Sequence, residues 1–221
     1  MNSKTKRRLK IYLPILASIV VVAAIVVAII LLNNRITAKD YFDAINKQNY
    51  SKQIQTTQIT ENNTLIYEKI ETIVFDGNNV YHEIKEKQIS KDLDKDYDEV
   101  ITEYYYSKDK LYHFEDGTWK EENFDLSTKL KTYDLKTNYF KTISFNKKFE
   151  SEGRLEGEIK KDSISKIVND LNLQEMSVVI VVNKNFNALK FDINAKTSTM
   201  RDVTIRNVYS YNNETVVLPT N

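Results

Sequence analysis

The run DLDKDYDEVITE, residues 92–103, sets Asp92, Asp94, Asp96 and Asp98 on alternate positions, with Glu103 at position twelve. That is the ligand spacing of a calcium loop, which also requires glycine at position six for its sharp turn. Tyr97 stands there instead. The flanks alternate as strands do, whereas a calcium loop lies between helices. The run is expected to be a solvated connection between strands with no metal.

Other chemistry fares no better. Cysteine is absent, which removes a thiolate nucleophile, a thiolate zinc site, a disulfide framework and lipid attachment through a lipoprotein-type cysteine. No G-x-S-x-G elbow presents a serine nucleophile. GRLEG at 153–157 lacks the glycine-rich run and the Lys-Ser/Thr ending of a phosphate loop. The two histidines, His82 and His113, fall on different expected strands with no third donor at ligand spacing, so both are expected to be sheet residues. Asn49, Asn62 and Asn213 open N-x-S/T triplets, which short motifs of this kind do by chance. The expectation is a protein that is not an enzyme and carries no cofactor.

Charge divides the chain. Residues 1–36 hold Lys4, Lys6, Arg7, Arg8, Lys10 and Arg35 and no acid, which leaves the remainder at a net −5. A mildly acidic body lacks the basic footprint of a nucleic-acid binder. From Ile11 to Leu32 the chain runs 22 residues without a charge. As a helix that run is about 33 Å long, enough for a hydrocarbon core of about 30 Å. A cleaved signal peptide would have a shorter apolar core, so an uncleaved anchor is expected. The flanking charges put residues 1–10 in the cytoplasm as a basic tail and residues 37–221 outside. The expected partner of 11–32 is therefore the lipid bilayer. No protein partner is legible.

The outer part carries the pattern of an α+β domain. TAKDYFDAINKQ (37–48) and DSISKIVNDL (162–171) have apolar residues at helical spacing, and LSTKLKTYDL (126–135) is a weaker candidate. Strand patterns fall at 53–60, 64–75, 80–89, 99–107, 110–115, 118–122, 141–146, 154–160, 176–183, 188–196, 202–211 and 215–219. Turn signals such as Asp76-Gly77 and Asp116-Gly117 join neighbours into antiparallel hairpins.

One stretch, EYYYSKDKLYHFEDGTWKEE (103–122), concentrates four tyrosines, one phenylalanine and the only tryptophan. A two-residue turn at Asp116-Gly117 pairs Phe114 with Trp119, and one at Lys108-Asp109 pairs Tyr105 with Tyr112. Alternation then puts Ile101, Tyr105, Tyr112, Phe114 and Trp119 on one face, with Val100, Tyr104, Tyr106, Leu111 and His113 on the other. The first face is the more apolar and is expected to point inward. Helices either fill the space above it or share it with a ligand. In the second case Tyr105, Tyr112, Phe114 and Trp119 form a wall facing Ile164, Ile167, Val168 and Leu171.

The order of elements resembles the LolA-like superfamily of bacterial envelope proteins, including the LppX-type lipoproteins. The resemblance runs through the opening helix, YYYSKDKLYHF followed by DGTWKE, RLEGEIKKDSISKIVNDL, VVIVVNKNFNALKFDINAK and the closing VTIRNVYSYNNETVVLP. It implies an antiparallel half-barrel wrapped over a few helices, with a cavity that holds acyl chains of lipids or lipoproteins. Here a helical anchor stands where those members carry a lipidated cysteine. The expected activity is binding of a lipid, lipoprotein or other apolar ligand without catalysis. The alternative is a structural or protein-interaction module of the cell envelope with a filled barrel.

Overall fold

The computed structural model describes residues 36–47, 49–77, 79–89, 99–107, 109–124, 133–168 and 172–219. The expected anchor at 11–32, the carboxylates Asp92 to Asp98 and Leu171 lie outside the described residues, as does 126–132. Among the described residues no helix is long and apolar enough to cross a membrane.

The strands form two meanders. The first runs β1 (Lys52–Glu61), β2 (Thr64–Asp76), β3 (Asn79–Gln88), β4 (Val100–Ser107), β5 (Lys110–Glu115) and β6 (Thr118–Asn123). The second runs β7 (Phe140–Phe145), β8 (Glu152–Ile159), β9 (Leu173–Asn183), β10 (Ala188–Thr197) and β11 (Asp202–Ser210). Within each meander, sequence neighbours pair antiparallel. The two halves join where β1 pairs with β11, so the described strands form a single 11-stranded sheet with β6 and β7 at its edges. The hairpin turns follow their residues. Asp116 and Gly117 both take positive φ (52° and 79°), as a type I′ turn requires.

Helix is scarce. α1 (Ala38–Asn46) buries Ala38, Tyr41, Phe42, Ala44 and Ile45, the stripe expected from their spacing. The segment expected as a helix at 162–171 is a short 3-10 helix, Lys161–Lys166. Its apolar i, i+3 spacing suits a three-residue turn as well as an α-turn. Its β-branched residues also favour the α-helix weakly. Residues 133–136 are not helical, and 215–219 form no strand. The Val216 amide instead donates to Asp76 Oδ2 at 3.1 Å, outside any ladder. The domain is therefore mostly sheet, with its few helical segments on one face.

That face is set by packing. Tyr41 packs against Phe145, Phe149 and Phe186, and Phe42 stacks on Phe140 at 5.5 Å. Beneath them lie Leu155, Val178, Ile180, Phe191 and Ile193, all fully enclosed. Alternation through every ladder makes this the inner face of the whole sheet. Gly157 belongs to it, and a Cβ there would meet the backbone oxygen of Thr142 at 2.5 Å. The described helical segments pack on β7, β9 and β10, all in the second meander.

Candidate functional site

The expected ring pairings hold: Tyr105 faces Tyr112, and Phe114 faces Trp119. The four rings also share one face, but it is the outer one. In β3 to β5 the side chains that bury are Val80, Tyr106 and Leu111, with Ile73, Phe75, Tyr104 and Phe124 against them. All of these but Phe124, which lies beyond β6, belong to the inner face by register. The orientation expected for the rings is thus corrected. Alternation sorts side chains into faces, but which face is covered depends on segments supplied from elsewhere in the chain.

The outer rings pack on each other. Tyr81 lies 4.9 Å from Tyr105, Tyr105 5.3 Å from Trp119, and Trp119 5.4 Å from Phe114. Phe114 stays 58 % exposed and Ile101 53 %. The Tyr81 hydroxyl donates to Glu103 at 2.7 Å. Burial first, and that carboxylate second, push its pKa up. Ile164 is buried in the 3-10 helix against β9, while Ile167 and Val168 are half-buried. In the sheet, β9 and β4 are separated by β10, β11, β1, β2 and β3. The rings and Ile164 do not form one wall.

A ligand on the inner face should consequently leave Trp119 emission unchanged, because that ring lies on the opposite side of the sheet. Titrating a fatty acid while exciting Trp119 checks this. A shift of its emission maximum would place the ligand on the outer face.

The inner face of the first meander has a different chemistry. Ile59, Tyr67, Ile73, Ile84 and Tyr104 are half-buried there, and no described helix packs on them. A polar seam separates this region from the closed core. Asn207, fully buried, donates from Nδ2 to the Phe191 carbonyl (3.1 Å) and accepts from Gln53 Nε2 (2.9 Å). Gln53 Oε1 in turn accepts from the Tyr50 hydroxyl at 2.9 Å. One row further, the Tyr133 hydroxyl donates to Gln55 Oε1, and Gln55 Nε2 donates to Glu71 Oε2 at 2.8 Å. Glu71 Oε1 lies 3.2 Å from Lys69 Nζ and 3.6 Å from His82 Nε2. The seam pairs its amides and charges, as buried polar groups require.

Sequence reasoning kept the two histidines apart. The structure puts them in one cross-strand row, His82–Tyr104–His113, on this inner face. The missing signal was the β3–β4 register. It spans residues 89–99, so no tight turn announced it.

No family model matches this chain, and neither does any curated protein. Similar solved structures include LprF from Mycobacterium bovis, at 11% identity and a TM-score of 0.42, covering 82% of this chain and 95% of that one. Another is the LolA superfamily protein NE2245 from Nitrosomonas europaea, at 11% identity and a TM-score of 0.30, covering 81% and 96%.

Proposed function

We propose that this chain is a membrane-anchored extracytoplasmic protein that holds an apolar or amphiphilic molecule, such as a lipid or the acyl chain of a lipoprotein, without catalysis. The carrying observation is the inner face of the first meander, where aromatic and aliphatic side chains stay only partly buried beyond the helix-covered core. Such a surface gains from an apolar chain laid along it. Each buried methylene contributes about 0.8 kcal/mol, so roughly ten give about 8 kcal/mol before the cost of immobilisation. The anchor rests on the 22-residue uncharged run and its basic flank. The resemblance to LolA-like proteins supports the same kind of ligand.

The protein purified from its native membrane should release near-stoichiometric lipid into an organic extract, identified by mass spectrometry. It should also bind a fluorescent fatty acid that this lipid displaces. An empty extract together with no probe binding would overturn the proposal. The exposed outer residues Phe114 and Ile101 favour a second reading, a protein-interaction module. Crosslinks from Phe114 to a partner protein, with no lipid found, would support it.

A further inference from the structure

The histidine row has hydrogen-bonding capacity that the fold does not use. His82 Nε2, His113 Nδ1 and the Tyr106 hydroxyl are buried without a hydrogen-bond partner among the described residues. Tyr106 is only 2 % exposed. Native folds rarely leave such atoms unpaired. Glu71 stands 3.6 Å from His82 Nε2, and Glu115 and Glu122 stand 3.8 and 3.9 Å from the other ring nitrogen of His113, Nε2, which leaves His113 Nδ1 without a carboxylate. Two of these carboxylates already have closer cations. Glu71 has Lys69 at 3.2 Å and Glu115 has Lys120 at 2.5 Å. The His82 and His113 side chains keep 12 % and 20 % exposure, so both rings reach the inner surface at their edges.

The patch therefore offers hydrogen-bonding donors and acceptors beside carboxylates that mostly have their own cations. A neutral imidazole has one donor and one acceptor, and a hydroxyl or amide matches either tautomer. A carboxylate or phosphate only accepts, and it would bring its charge beside Glu71 and Glu115. An ammonium only donates, and it would compete with Lys69 and Lys120. We propose that His82 and His113, with Tyr104 between them, form a subsite for the uncharged, hydrogen-bonding head of an amphiphile and select it over charged heads. This rests on the inner face being a ligand wall.

The test uses the full-length chain kept soluble in amphipol, with N-phenyl-naphthylamine as the displaced probe. Three ligands of one tail length are compared where the acid is ionised and the amine protonated: monolaurin, lauric acid and dodecylamine. Monolaurin should bind on the order of tenfold tighter than either charged ligand, the scale of one or two buried hydrogen bonds. His82→Leu combined with His113→Leu should abolish that preference while leaving lauric acid affinity within about threefold. His82→Gln, which keeps a donor and an acceptor, should retain most of it. Equal affinities for the three heads, or an undiminished preference in the double leucine variant, would overturn the subsite but spare the lipid-binding reading. Failure of all three ligands to displace the probe would end both.

Discussion

Replacing Phe191 by alanine should destabilise the fold by about 3–5 kcal/mol, the usual cost of deleting a buried aromatic ring. Phe191 is fully enclosed on the inner face of β10. It stands opposite Ile180 and Asn207, and the Tyr133 ring packs edge-on against it at 4.6 Å. The site cannot collapse easily, because the core there is framed by strands on both sides. At about 2–4 °C per kcal/mol for a chain of this size, the melting temperature should fall by roughly 6–20 °C. Phe114→Ala is the matched control. Its ring is largely exposed on the outer face, so the loss should stay within about 0.5 kcal/mol. Thermal and urea unfolding followed by circular dichroism measures both. Equal losses would mean that the inner and outer faces have been exchanged.

Alkaline pH should unfold the protein cooperatively. Tyr50, Tyr133 and Tyr209 cluster on the inner face, with Tyr50 and Tyr209 5.0 Å apart. Burial is the first cause that pushes Tyr50 and Tyr133 up to about 12, and it raises Tyr209 as well. Tyr106, in the smaller cluster, also reaches about 12 by burial. Unfolded tyrosine titrates near pH 10. Between about pH 10 and 12 the unfolded chain therefore loses protons that the folded one keeps. Stability contributed by these groups is complete below about pH 10 and is lost as pH rises through 12. Each pKa unit corresponds to about 1.4 kcal/mol, so each buried tyrosine accounts for roughly 2–3 kcal/mol. A phenolate absorbance titration run beside circular dichroism should show the last tyrosines ionising together with loss of the fold. Smooth ionisation of all 14 tyrosines near pH 10 with the fold intact would refute the buried cluster.

Where a tight turn joins two strands, pairing was readable from the residues. Asp116-Gly117 dictates a turn through its positive φ angles, and the turn dictates which side chains oppose one another. The alternation of MSVVIVVN likewise predicts a strand, and Val178, Ile180 and Val182 turn out fully buried. These are local effects, decided by sterics within a few residues.

The resemblance to LolA-like proteins implies an α+β half-barrel, and the described residues form the antiparallel sheet with far less helix. Near Lys161–Lys166 the apolar spacing was real, but three-residue and four-residue turns bury the same stripe. The last apolar run, at 215–219, forms no strand, and the Val216 amide donates to the Asp76 carboxylate instead.

By itself the sequence determined the hairpins, the α1 stripe, and which rings stand together as Tyr105, Tyr112, Phe114 and Trp119. It also determined the absence of cysteine chemistry. Only the tertiary structure decided that β1 pairs with β11, which makes one sheet of two meanders. That choice set which face α1 and Tyr133 would cover, and so turned the four rings outward. The β3–β4 register, closed across residues 89–99, brought His82, Tyr104 and His113 into one row beside Glu71. Contacts between distant segments carry no periodic signal along the chain. They form where burial of α1 against β9 and β10 outweighs the entropy of closing long loops, and that balance belongs to the whole fold.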